Sequence, residues 1–113
     1  MFEVVYYSCM GNTRKVANAI AGELGITPRY VGTAGVVSPD SFIFLGTGVY
    51  RGTLPEEIIR FMEVNRFRGR RIALFTTSIF DTGEDRRRIE KQLEEHGAVI
   101  VRNSGLVVAT HNH

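Results

Sequence analysis

Six residues near the N-terminus, Ser8-Cys9-Met10-Gly11-Asn12-Thr13, bring hydroxyl, thiol, amide and glycine chemistry into one short stretch. That set suits a phosphate. Gly11 lets backbone approach a ligand closely, and Ser8, Asn12 and Thr13 can each add a side-chain hydrogen bond to a phosphate oxygen. The elements that must position them lie on either side. Val4-Val5-Tyr6-Tyr7 is β-prone, and residues 13–24 carry Val16, Ala17, Ile20, Ala21 and Leu24 at helical spacing. A strand, a tight loop and a helix N-terminus would turn unpaired backbone N–H groups and the positive end of the helix dipole towards one point. The plainer alternative is an ordinary turn capped by Thr13 or Asn12.

Composition narrows the setting. The 113 residues read as one domain, 1–113, and 43% hydrophobic with 23% charged residues is the balance of a folded globular protein. No apolar run approaches the roughly 20 residues that span a bilayer, and no leader opens the chain, so a cytoplasmic protein without membrane insertion is expected. Cys9 is the one cysteine and cannot form an internal disulfide. The histidines lack metal-ligand spacing: His96 reads as a helix-end residue, His111 and His113 as a C-terminal tail. A net charge of +2 is concentrated in Arg66, Arg68, Arg70 and Arg71, then in Arg86, Arg87 and Arg88. Without stacking aromatics between them, these runs read as solvated faces and not as a nucleic-acid interface.

Further along, strands and helices alternate. Residues 29–31 suggest a short strand, and residues 32–40, with two glycines and a proline, are too short for a full crossover helix. The apolar run at 41–46 has the pattern of a central parallel strand buried on both faces. It leads into a loop, Thr47-Gly48-Val49-Tyr50-Arg51-Gly52-Thr53, and then a helix opened by Pro55 and Glu56 with Ile58, Ile59 and Met62 inward. Residues 71–76 form the next strand, followed by a loop, Thr77-Ser78-Ile79-Phe80-Asp81-Thr82-Gly83. A helix over 84–96 turns Ile89 and Leu93 inward, pairs Glu84 with Arg88 outward and stops at Gly97. A fifth strand begins near Ala98, with a bend at Asn103-Ser104-Gly105 before Leu106-Val107-Val108-Ala109. In a parallel sheet of this kind ligands collect beyond the carboxyl ends of the strands, where all three loops lie.

The first loop resembles the FMN-phosphate loop of the flavodoxin family, [Ser/Thr]-x-[Thr/Ser]-Gly-x-Thr after the first strand. Ser8, Gly11, Asn12 and Thr13 match, whereas Met10 stands where a hydroxyl is expected. The likeness extends over nearly the whole chain. It implies an α/β, three-layer flavodoxin-like sandwich with a five-stranded parallel sheet in the order 2-1-3-4-5, shortened and lacking the last helix. Tyr50 and Phe80 then fall where flavodoxins place residues on the two faces of the isoalloxazine ring. Thr47, Gly48, Val49, Gly52, Thr77, Ser78 and Asp81 frame it, and Gly48 and Gly52 let a peptide reorient at N5. Arg51, if near the ring, would favour its anionic reduced form.

The resemblance implies noncovalent FMN, with an electron carrier favoured over a quinone-linked oxidoreductase, and a protein or quinone as redox partner. The second loop and its helix look closer to the flavodoxin domains related to menaquinone-dependent protoporphyrinogen dehydrogenases than to long-chain flavodoxins. Typical flavodoxins are acidic, so a positive charge here suggests an acidic redox partner. With only four residues after Ala109, part of one sheet face would be left bare, and either a homodimer covering it or a chain truncated from a longer protein is expected. Two other classes share the architecture. Cys9-Met10-Gly11-Asn12-Thr13-Arg14 is similar to the Cys-x5-Arg loop of low-molecular-weight tyrosine phosphatases, but Lys15 stands where the arginine belongs and no Asp-Pro acid follows. A flavodoxin-like interaction module without cofactor is the non-enzymatic alternative.

Overall fold

A strand flanked by two partners and covered on both faces must be almost wholly apolar, and Phe42–Gly48 (β3), with Thr47 its one polar residue, is buried at every position after Phe42. The computed structural model describes residues 1–8, 11–48, 52–77 and 83–101. Around β3 it places β1 (Phe2–Tyr7), α1 (Asn12–Leu24), β2 (Arg29–Tyr30), α2 (Val31–Ala34), α3 (Glu56–Val64), β4 (Arg71–Thr77), α4 (Glu84–Glu95) and β5 (Val99–Ile100). The five strands form one parallel sheet in the order β2-β1-β3-β4-β5, as the sequence implied.

Side-chain alternation divides the core. Val4, Phe44, Ala73 and Phe75 face α1, which meets them with Val16, Ala17 and Ala21. Val5, Ile43, Leu45, Ile72 and Leu74 face the opposite way, against α2, α3 and α4 through Val31, Ile58, Phe61, Met62, Ile89 and Leu93. Ile59, expected inward, is only partly buried at the edge of that cluster.

Two strands run further than expected. β3 continues through Thr47 and Gly48, and β4 through Thr77, because the ladder pairs Thr47 with Thr76 and Gly48 with Thr77. Thr47, Gly48 and Thr77 are therefore strand-end residues and not loop residues. Val31 opens the single helical turn α2 in place of prolonging β2, and the chain from 35 to 41 has no regular structure. Side chains satisfy it instead. Asn65 Oδ1 accepts from Val37 N–H at 2.8 Å, and Asn65 Nδ2 donates to the carbonyls of Gly35 and Phe61. Arg70, expected on a solvated face, is buried and donates to the carbonyls of Ser38 (2.9 Å), Ser41 and Asn65. Burial pulls its pKa below the ordinary arginine value, with Asp40 opposing.

Helix ends follow local rules. Gly25, at φ 69°, closes α1 as its N–H donates to Gly22 and Ile26 N–H reaches back to Ala21. The same motif ends α3, with Phe67 N–H on Met62 and Arg66 N–H on Glu63, but there the left-handed position (φ 50°) is held by Arg66 and not by glycine. Arg88 pairs with Asp85 at 3.4 Å, three residues back on the same helix. The expected bend at 103–105, the strand at 106–109 and the missing last helix lie outside the described residues.

Candidate functional site

The carboxyl ends of β1, β3 and β4 come level with one another through the register Tyr7↔Thr47↔Thr76, with Gly48↔Thr77 one step further on. Ser8 follows directly on β1. All of the described residues assigned to a site by the sequence, Ser8, Gly11, Asn12, Thr13, Thr47, Gly48, Gly52 and Thr77, are carried by these strand ends or the segments leaving them. Cys9, Met10, Val49, Tyr50, Arg51, Ser78, Phe80 and Asp81 lie outside the described residues.

The first loop turns on Gly11, at φ 89°, a conformation that side chains other than glycine adopt at a cost. Gly11 N–H donates to Ser8 Oγ at 2.9 Å, which ties the two ends of the loop together and leaves the serine proton for another acceptor. The first bond of α1 runs from Lys15 N–H to the Gly11 carbonyl. The N–H groups of Thr13 and Arg14 precede it, so helical geometry supplies them no acceptor.

The charge at this helix end is distinctive. α3 and α4 each open with two acidic residues, Glu56-Glu57 and Glu84-Asp85, the usual complement to a helix dipole. α1 has no acidic residue in its first turn and carries exposed Arg14 and Lys15 there. A positive helix end crowned by cations is unfavourable alone and favourable with an external anion, so these residues fit a phosphate-sized group. Thr13 adds a buried hydroxyl, with its Oγ1 2.7 Å from Thr77 Oγ1 on β4.

Thr47 is fully buried, and its hydroxyl donates to the Gly48 carbonyl at 3.0 Å, so its proton is used within the strand end. Beyond the second loop the chain is clamped by α4: Gln92 Nε2 donates to the Gly52 carbonyl and Gln92 Oε1 accepts from Leu54 N–H at 3.0 Å. Arg86 is likewise not a solvated residue. Its guanidinium donates to the Leu74 carbonyl at 2.9 Å and Thr76 Oγ1 at 3.1 Å, while pairing with Glu90. Val101 N–H, just beyond β5, donates to the Ile72 carbonyl, and Arg86 serves the next such carbonyl along β4. Sequence reasoning missed Gln92 and Arg86. The only signal for Gln92 was an uncharged polar residue beside Leu93 on an otherwise charged helix.

A doubly wound parallel sheet in the order β2-β1-β3-β4-β5 defines the flavodoxin-like α/β class. The sequence matches the Flavodoxin domain family over residues 3–105, and the chain belongs to that family. Solved structures of similar fold include a short-chain flavodoxin associated with a non-canonical PDU bacterial microcompartment (TM-score 0.64, 17% identity, 88% of this chain and 78% of that one). Another is oxidised Flavodoxin 2 from Bacillus cereus (TM-score 0.63, 21% identity, 89% and 79%). No curated protein matches the sequence. Among the described residues no helix is long and apolar enough to cross a membrane, and no group of His, Cys, Asp and Glu could hold a metal ion.

Proposed function

We propose that this chain binds FMN noncovalently and works as an electron carrier. The observation that carries this reading is the N-terminus of α1, closed by Gly11 and Ser8, free of acidic residues in its first turn and flanked by Arg14 and Lys15. FMN, when bound, supplies reversible one- and two-electron chemistry. The chain's own part is to hold and tune. Ser8, Asn12 and Thr13 would donate to the phosphate together with the backbone N–H groups of Thr13 and Arg14, while Cys9 and Met10 would contribute backbone. Tyr50 and Phe80 would cover the two ring faces, with Thr47, Gly48, Val49, Arg51, Gly52, Ser78 and Asp81 around its edge, while the Thr77 hydroxyl is turned to Thr13. Arg51 would stabilise negative charge on the reduced ring.

The partner would be an acidic redox protein or a quinone, in keeping with the protoporphyrinogen dehydrogenase-like subgroup and a cytoplasmic location. A homodimer through the α1 face is supported by Phe2, Val99 and Val101, which lie on that side of the sheet and are 47%, 48% and 37% exposed. Light scattering well above micromolar concentration checks it, and a monomer would refute it. The flavin reading is tested by the visible spectrum of the purified protein before and after addition of FMN and removal of the excess. Retained flavin bands are expected, and a colourless protein that cannot retain FMN would overturn the reading.

A further inference from the structure

Two hydroxyls that meet at 2.7 Å have two protons between them, and only one can lie on the line joining the oxygens. In the Thr13–Thr77 pair this fixes what the site can do. If Thr13 is the donor, its proton points at β4 and the phosphate meets only its lone pairs. If Thr77 is the donor, the Thr13 proton is free to point at an anion, and accepting a hydrogen bond makes it a better donor. The two residues are separated by 64 positions in sequence and are 2% and 8% exposed, so water does not readily replace either partner. The contact is also set by the sheet: Thr77 is the last residue of β4, and its register neighbour on β3, Gly48, has no side chain to stand between it and the first turn of α1.

We propose that Thr77 is a positioning residue for phosphate recognition, donating to Thr13 Oγ1 so that the Thr13 proton is aimed at the FMN phosphate. The inference rests on the FMN reading above. It adds a residue from the carboxyl end of β4 to a phosphate site otherwise built from the first loop. The chain Thr77 O–H to Thr13 O–H to phosphate is cooperative, and without an anion either direction of the pair is open.

The test compares FMN with riboflavin, which lacks the phosphate, by quenching of flavin fluorescence in wild type, Thr77→Val and Thr77→Ser. Valine keeps the shape and removes the hydroxyl. It should weaken FMN binding about tenfold, the size of one charge-assisted hydrogen bond, while riboflavin binding stays within about twofold. Serine should restore FMN binding to within about threefold of wild type. In a Thr13→Ala background, Thr77→Val should have no further effect on FMN.

Should Thr77→Val fail to fold, NMR of the wild-type FMN complex reads the donor directly. A coupling between the Thr13 hydroxyl proton and phosphorus is expected, and a Thr13 proton bonded to Thr77 instead would overturn the proposal. Equal loss of FMN and riboflavin affinity in Thr77→Val, or no loss of either, would also overturn it while leaving the cofactor assignment standing. A wild type that binds neither flavin would remove both.

Discussion

Gly46 lies in the middle of β3, where glycine is ordinarily a weak choice, and the reason is the ring of Phe75. A Cβ at position 46 would lie 2.1 Å from Phe75 Cε2, 2.2 Å from Cζ and 2.9 Å from Cδ2. Carbon atoms in contact settle at about 3.5–4.0 Å, so Gly46→Ala requires the ring edge to retreat by roughly 1.5 Å. Phe75 is 4% exposed and packed between the sheet and α1, so there are two ways to accommodate the methyl group. Forced overlap costs about 1–3 kcal/mol, and swinging the ring outward gives up about 1.5–3 kcal/mol of burial. Against this, replacing glycine in a strand returns about 0.5–1 kcal/mol of backbone entropy. The net expectation is a loss of about 1–2 kcal/mol. With a urea dependence of about 1–3 kcal/mol per molar, the midpoint should fall by roughly 1 M. Urea unfolding of the apo protein measures it. The double variant Gly46→Ala/Phe75→Leu should be less destabilised than the sum of its parts by at least about 1 kcal/mol. A Gly46→Ala protein as stable as wild type, or additive behaviour with Phe75→Leu, would refute the account of why this strand carries glycine.

Three further outcomes follow from particular contacts. Arg66→Gly should raise stability by about 0.5–1 kcal/mol, because the left-handed end of α3 costs an arginine more than a glycine; thermal or urea unfolding reads it. Arg70→Met should cost about 2–4 kcal/mol by removing the guanidinium from the Ser38, Ser41 and Asn65 carbonyls, of which Ser38 keeps only the Ser41 N–H and hydroxyl, and Arg70→Lys should recover less than half, since an ammonium cannot span all three. Lys15→Glu should move two quantities in opposite senses. The apo protein gains about 0.3–1 kcal/mol from an acidic residue in the first turn of α1, while FMN affinity falls several-fold and riboflavin affinity does not. A parallel change in both flavins would refute the electrostatic role of that turn.

Much of the architecture was legible because burial on both faces leaves an unmistakable pattern in β1, β3 and β4, and because α1 carries its inward residues at helical spacing. The strand ends were harder to read. Gly46-Thr47-Gly48 looks like the start of a loop by residue preference, yet pairing with both β1 and β4 carries the strand through it. The first loop could be recognised from contiguous residues, since Ser8 and Gly11 are three positions apart and meet directly. Thr77 could be placed near the site, but not against Thr13, because that contact depends on how helix and sheet dock. Arg70 and Arg86 were hidden for a related reason. A run of arginines has the same appearance whether each side chain enters solvent or turns inward to backbone carbonyls.

The irregular chain from 35 to 41 has a place in the order of folding. Its backbone partners are Asn65 and Arg70, which belong to the end of α3 and the approach to β4, some 30 residues later. Local hydrogen bonds hold only its second half, where Ser41 N–H and hydroxyl donate to the Ser38 carbonyl, so residues 35–37 are secured once those elements are in position and loop-closure entropy is met there without a helix to offset it. The segment becomes a latch that closes last and opens first, a cooperative unit of low free energy at the pole opposite the strand ends. In native-state hydrogen exchange the amide of Val37 should therefore report the joining of the two halves of the sheet, exchanging sooner than Leu45 or Leu74 and together with the release of Asn65.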